Sequence, residues 1–330
     1  VPKRKGLLAM HGTIEVNHLA KTFKKGNVKA VKDVSFTVNE GEFFAFLGPN
    51  GAGKSTVVQM LTTLINPTGG EAFVAGYNVS KDPGKVRRHI GVALQETGVD
   101  PDLTGREMLE LQAHIFGYQK QAAKQRADEL LEIVQLKGDA SRRIGNYSGG
   151  MRRRLDLALT LVHEPKILFL DEPTTGLDPT NRIAIWKELE RLNKEMGTTI
   201  FLTTQYLEEA DSLADRISII NRGLIVASGT PKELKAQIGS DLITLTFKNE
   251  ADLQKSESVL EEELDTVDLI VRNDKLNVYV NEGNKQLLQI VRTLDQHQLE
   301  LETTNLSSPT LDDIFLKITN EPAGGEEDGQ

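Results

Sequence analysis

"FFAFLGPNGAGKST", Phe43 to Thr56, is the stretch that decides the fold. Its five leading apolar residues read as a buried strand, and the pattern after Thr56 reads as a helix. Between them, Gly48 to Thr56 satisfies G-x-x-x-x-G-K-[ST] in the strand-to-helix setting that this motif demands. The glycines let backbone N–H groups curl around a phosphate, and the helix start adds the positive end of its dipole. Lys54 supplies a mobile positive charge for the outer phosphates, and the Ser55 hydroxyl can ligate Mg²⁺. The whole run of Gly48, Pro49, Asn50, Gly51, Ala52, Gly53, Lys54, Ser55 and Thr56 is therefore a candidate phosphate cradle. A bare Gly-rich turn fits this pattern by chance in roughly one chain of this length in a hundred. The flanking strand and helix make chance rarer still.

Working outward, "KILFLDEP", Lys166 to Pro173, is a continuous apolar run ending in two carboxylates. A central parallel strand looks like this, with its carboxyl end where ligands bind in an open α/β sheet. Successive strand residues face opposite ways, so Asp171 and Glu172 are expected to hold different roles. Asp171 is the candidate for holding Mg²⁺ through its waters, and Glu172 for polarising an attacking water. A second apolar run, "TTIFLTT", leads into "LTTQYLEEAD", Leu202 to Asp211, which opens a helix and sets Gln205 at its start. In "NYSGGMRRRLDLAL", Asn146 to Leu159, Ser148 is a good N-cap, and Gly149 and Gly150 expose N–H groups at a helix start. Three arginines in the first turn oppose the helix dipole and read first as a solvated basic face.

Composition narrows the function classes. The 330 residues suggest about two domains, and 38% apolar with 26% charged residues is ordinary for a globular chain with sizeable cores. The absence of cysteine excludes a disulfide framework, a thiolate metal site and a cysteine nucleophile. The net charge of −9 argues against broad nucleic-acid binding. The sequence holds no apolar run near the roughly 20 residues a membrane span needs. The apolar part of "VPKRKGLLAM", Gly6 to Met10, is short for a signal peptide. It reads as a ragged start, with Met10 as the functional beginning. The six histidines show no metal-ligand spacing and read as surface or satisfied positions.

Residues 13 to 47 read as short strands, and from Gly48 to about Gly239 apolar strands alternate with helical stretches, the mark of an α/β sheet. A helical insertion is expected between about Asp102 and Gln135. After Ser240 the pattern reads strand (Leu242–Phe247), helix (Ala251–Glu262), strand (Val267–Val271), a turn at Asn273-Asp274, strand (Leu276–Val280), helix (Asn284–Gln296) and strand (Leu299–Thr303). This is the β-α-β-β-α-β order of a ferredoxin-like unit. A last helix is expected to begin at Ser308-Pro309, and the acidic, Gly-rich tail "EPAGGEEDGQ" to be disordered.

"SGG" between a phosphate loop and "FLDE", with "GLDP" shortly after, resembles the nucleotide-binding subunits of ATP-binding-cassette (ABC) transporters. The resemblance covers roughly residues 13 to 235. It implies a P-loop NTPase fold of the ABC type, a mostly parallel sheet with an antiparallel β subdomain and a helical subdomain at about 96–150. A small α+β ferredoxin-like domain over 241–320 and flexible ends at 1–12 and 321–330 complete the expected plan. It also implies an ATPase that binds ATP and Mg²⁺ and sandwiches ATP between two copies, the phosphate loop of one facing Ser148, Gly149 and Gly150 of the other. Gln95, in "GVALQETG", matches the family's glutamine that contacts Mg²⁺ and water. Asp178, in "TTGLDPT", matches the loop crossing the dimer interface. Phe23 matches the aromatic that stacks on adenine, usually a tyrosine.

Two positions depart from the family pattern. Met151 stands where glutamine is common, and Gln205 stands where a histidine contacts the γ-phosphate. A glutamine amide offers a donor and an acceptor but cannot carry a proton's charge. "TTQYLEEAD" with "SSPTLDDIFLKIT" resembles the ATPase subunits of daunorubicin-resistance-type multidrug exporters, which makes Gln205 a branch feature. That branch implies a peripheral protein on the cytoplasmic face of the membrane, paired with a separate integral-membrane permease. Export of sodium or a lipid-linked sugar is the alternative cargo. A soluble cassette acting on ribosomes or DNA is the alternative class, disfavoured by the acidic balance and the single cassette.

Overall fold

The computed structural model describes residues 13–95, 98–237, 241–263, 268–272 and 274–320. The expected flexible ends, 1–12 and 321–330, lie outside the described residues, as does Asn273 of the expected turn. The chain divides into two compact units, with the break between Ser228 and Gly229.

In chain order the first unit runs β1 (Ile14–Phe23), β2 (Val28–Val38), β3 (Phe43–Leu47), α1 (Lys54–Leu61), β4 (Gly69–Val74), β5 (Tyr77–Asn78), α2 (Pro83–Arg87), β6 (Ile90–Ala93), α3 (Gly105–Ile115), α4 (Lys120–Ile133), α5 (Gly149–Thr160), β7 (Ile167–Asp171), α6 (Pro179–Lys194), β8 (Thr199–Thr204), α7 (Leu207–Leu213), β9 (Arg216–Asn221) and β10 (Leu224–Gly229). The strands form one sheet in the order β5-β4-β1-β2-β10-β9-β3-β8-β7-β6. From β9 to β6 all pairs are parallel, whereas β2, β1, β4 and β5 pair antiparallel. Parallel neighbours end together. Asp171 is opposite Thr203, and Thr204 is opposite Leu47, so three strand ends deliver their next residues to one place.

Side-chain alternation splits this sheet into two cores. Phe44, Phe46, Phe169 and Phe201 face one side with Phe36, while Phe43, Leu168, Leu170, Ile200 and Leu202 face the other. The Phe201 ring lies 5.4–5.8 Å from the centroids of Phe36, Phe44, Phe46 and Phe169. The second face receives the helical insertion. Thr104 caps α3 reciprocally with Glu107, and Leu109, Ala113, Ala127 and Leu130 pack with Leu155 and Ala158 of α5.

The second unit holds α8 (Pro231–Ala236), β11 (Asp241–Phe247), α9 (Glu250–Glu263), β12 (Asp268–Arg272), β13 (Lys275–Val280), α10 (Gly283–Gln296), β14 (Leu301–Ser307) and α11 (Leu311–Asn320). Its sheet runs β12-β13-β11-β14 with every pair antiparallel, the ferredoxin-like arrangement. Leu253, Leu260, Ile290 and Leu294 of its two long helices cover Ile243, Leu245, Leu276 and Val278. The sequence boundaries need three adjustments. Helix α8 groups with this unit because it packs on α11. The last strand lies at Leu301–Ser307 instead of Leu299–Thr303. The last helix starts at Leu311, after Thr310, whose N–H and hydroxyl both donate to Asp313.

Phe201 is the hub of the aromatic core and fully buried. Phe201→Ala is expected to cost about 3–5 kcal/mol, read as a lower urea midpoint of the first unit. A loss below about 1 kcal/mol would mean the other rings collapse into the gap.

Candidate active site

The loop after β3 depends on glycine. Gly51 and Gly53 have φ of 81° and 111°, the left-handed region. A Cβ on Gly48 would lie 2.3 Å from the Ile220 carbonyl oxygen, and one on Gly53 would lie 2.6 Å from that of Ala30. Gly53 leaves the N-terminus of α1 without a side-chain cap. Lys54 opens that helix, only 4% exposed. Its Nζ donates to the carbonyls of Gly48 (2.8 Å) and Pro49 (3.0 Å) and lies 3.1 Å from Glu172 Oε1.

The two carboxylates part, though not by strand alternation. Asp171 ends β7 and turns to α1, its Oδ1 accepting from Ser55 Oγ (3.1 Å) and from Thr203 Oγ1 (2.6 Å). Glu172 has already left the strand, with φ of 49°, a left-handed conformation that costs of order 1 kcal/mol for a non-glycine residue. Its N–H donates to Thr203, and its Oε2 accepts from Thr175 Oγ1 at 3.3 Å. Thr203, the residue in register with Asp171, thus fixes both.

Lys54, Ser55, Thr56 and Glu172 line a cleft of about 500 Å³ with Asn50, Gly51 and Gly53 of the loop. Gln95, Thr175, Gln205 and Ala30 complete its walls. Among the described residues no group of three or more acidic or histidine side chains could hold a metal ion by itself. One carboxylate, one hydroxyl and one amide suit Mg²⁺, which keeps several waters and takes ligands from phosphates.

The remaining candidates lie away from these walls. Phe23, 37% exposed at the end of β1, carries the Lys21 ammonium 5.4 Å from its ring centroid, so it is not core. Ser148 caps α5 by accepting from Met151 N–H, and both Ser148 and Gly149 are exposed. Gly150 is buried against Asn181, whose N–H donates to Asp178 at the cap of α6. These bonds hold the Asp178 carboxyl below its usual range. Asn181, unremarked in the sequence, thereby joins the "SGG" turn to the Asp178 turn.

Residues 31–175 match the ABC transporter family model, and residues 229–319 match that of the ATP-binding protein DrrA1-3-like C-terminal domain. The chain is 44% identical over 312 residues to the doxorubicin resistance ATP-binding protein of Mycobacterium tuberculosis (strain ATCC 25618 / H37Rv), covering 94% of each. It is 41% identical to the daunorubicin/doxorubicin resistance ATP-binding protein of Streptomyces peucetius, covering 94% of this chain and 93% of that one. The chain belongs to the ABC transporter family. It is similar to a solved dimeric ATP-binding cassette in a post-hydrolysis state bound to ADP and Pi. That match has a TM-score of 0.61 and 30% identity, over 66% of this chain and 98% of the other. As an ABC ATPase it hydrolyses ATP in the service of transport.

One residue of this ABC ATPase corrects the sequence reading outright. Of the three arginines in α5, Arg153 is buried and not part of a solvated face. Its guanidinium donates to the carbonyls of Pro173 (2.7 Å), Leu94 (2.7 Å) and Asp171 (3.4 Å). It therefore ties the "SGG" helix to the residue before Gln95 and to the turn that carries Glu172. The available signal was spacing, since Gly150, Arg153 and Leu157 share the buried stripe of the helix.

Asp156 pairs with Arg153 at 3.1 Å, and burial pushes its carboxyl up to about 6 against the pull of Arg153. The folded chain therefore binds this proton more tightly than the unfolded one. The group's contribution to stability is greatest below about pH 4 and is lost as pH rises through 6, roughly 3 kcal/mol in all. Asp156→Asn is expected to flatten that part of the curve, measured by urea unfolding between about pH 4 and pH 7. A variant whose stability still falls as steeply as the parent's would assign the titration to another group.

Proposed function

We propose that this chain is the ATP-hydrolysing subunit of an exporter for drugs or hydrophobic solutes, working as an ATP-bound homodimer under a separate integral-membrane permease. The observation that carries the reading is the meeting of Lys54, Ser55, Glu172 and Gln205 in one cleft, with Asp171 bonded to Ser55 behind it. The loop from Gly48 to Thr56 cradles the phosphates, and Lys54 neutralises the outer ones. Ser55 and Asp171, with Gln95, hold Mg²⁺, which when bound offsets phosphate charge. Glu172 orients and polarises the attacking water. Gln205 donates to the γ-phosphate. Phe23 stacks on adenine, and Ser148, Gly149, Gly150 and Asp178, all outside the cleft walls, meet the nucleotide of the second copy.

A dimer is supported by the exposure of Ser148, Gly149 and Asp178, and by the dimeric relative described above. Among the described residues no helix is long and apolar enough to cross a membrane. Peripheral attachment on the cytoplasmic face follows from the proposed pairing with a permease. The cargo class rests on the names of the doxorubicin and daunorubicin resistance relatives.

Glu172→Gln is expected to retain ATP while nearly abolishing hydrolysis, so that an ATP-bound dimer accumulates on size exclusion. Lys54→Ala is expected to lose ATP binding and stay monomeric. Turnover by Glu172→Gln at the parental rate would sink the assignment.

Gln205→Ala removes one preorganised donor and is expected to lower kcat by roughly 10²–10³ with little change in ATP affinity. Gln205→His should remain active but gain a pH dependence near the imidazole pKa of about 6.5. Steady-state ATPase assays across that range decide it. Parental activity in Gln205→Ala would reduce the residue to a spacer.

A further inference from the structure

One turn beyond Gln205, α7 buries a carboxylate that the reading above leaves without a task. Glu209 is fully shielded from solvent. Its Oε1 accepts from Thr174 Oγ1 at 2.9 Å and from Trp186 Nε1 at 2.8 Å. Burial pushes its pKa up, while the hydrogen bonds from Thr174 and Trp186 and the charge of Arg182 act the other way, and its Oε2 is buried with no hydrogen-bond partner among the described residues. The Arg182 guanidinium in turn lies 4.4 Å from the ring centroid of Tyr206. An apolar side chain here would avoid the desolvation cost, so stability alone is a weak reason for a buried carboxyl.

What this carboxyl does supply is direction. Thr174 is two residues beyond Glu172, and the adjacent Thr175 donates to Glu172 itself. Trp186 is in the helix that Asp178 caps, and Glu209 itself lies in the helix that follows Gln205. One carboxyl group therefore joins its own segment, the one after Gln205, to the Glu172 turn and to the helix that Asp178 caps.

We propose that Glu209 is a positioning residue for ATP hydrolysis, holding the Glu172 turn and the Asp178 helix against the segment that presents Gln205. This rests on the roles given above to Glu172 and Gln205. Glu209 touches no substrate, so its loss acts on kcat more than on ATP binding. A small displacement of catalytic groups is enough for a loss on the order of 10²-fold.

The test measures kcat and KM for ATP, with thermal melting alongside, in the full chain. Glu209→Leu fills the space without an acceptor, Trp186→Phe keeps a ring without the donor, and Glu209→Gln keeps a carbonyl oxygen. Glu209→Leu is expected to lower kcat by roughly 10²-fold and Trp186→Phe by about tenfold, with KM within about twofold. Glu209→Gln should restore most of the lost rate. In a Gln205→Ala background, Glu209→Leu should add little further loss, the non-additivity of residues acting through one network. Parental kcat in Glu209→Leu overturns the proposal. So does an equal loss in the Gln and Leu variants that tracks melting temperature. Should Glu209→Leu fail to fold, Trp186→Phe and Thr174→Val carry the test, and parental kcat in both overturns it. If Gln205→Ala is slow but the Glu209 and Trp186 variants are not, this proposal alone fails. Parental activity in Gln205→Ala would instead fail the earlier reading of Gln205.

Discussion

The hydroxyl of Thr203 is the contact on which the site depends. It donates to Asp171 and accepts from the N–H of Glu172, across two strands whose parallel register puts Thr203 opposite Asp171. That register is fixed by burial on both faces, since a one-residue slip would exchange the two apolar sets of each strand. The sheet therefore does more than support the cleft. It sets where the Asp171 carboxylate stops and where the Glu172 one turns away. A strained turn at Glu172 survives because the strands on either side leave it no alternative.

From this line the rest of the first unit is arranged by hydrogen bonding to backbone. Arg153 gathers carbonyls from the Gln95 side and the Glu172 side, and Asn181 links two exposed turns. Arg153 works in dry surroundings, where a missing partner is costly and a satisfied one is rigid. The cleft is thus held from behind by a polar frame, while its front is formed by the glycine loop.

Much of this was legible in the sequence, for a physical reason. The phosphate loop is local chemistry, with glycines, lysine and hydroxyl within nine residues, so its reading needed no tertiary knowledge. The ferredoxin-like unit was legible because its strands and helices alternate cleanly. Strand β14 was displaced in the reading because "LETTNLS" is mostly polar and exposed, so no apolar pattern fixed its ends. Helix α8 was assigned to the wrong side because its packing on α11 is a distant contact with no local mark. Arg153 was hidden in a run of three arginines, where composition is silent and only the angular position on the helix distinguishes them. Glu172 was separated from Asp171 for the wrong reason, since alternation ends where the strand does.

The Lys54–Glu172 pair has a consequence for how such a site can change over time. The two side chains lie 3.1 Å apart with almost no solvent between them, so each is the counter-ion of the other. Losing either one strands an uncompensated charge in a buried place, a penalty of several kcal/mol added to whatever function is lost. Neutralising Glu172 removes the carboxylate that offsets the Lys54 ammonium, a loss that a bound phosphate would make good. A change at either residue is therefore expected to register in the stability of the chain before it registers in nucleotide binding.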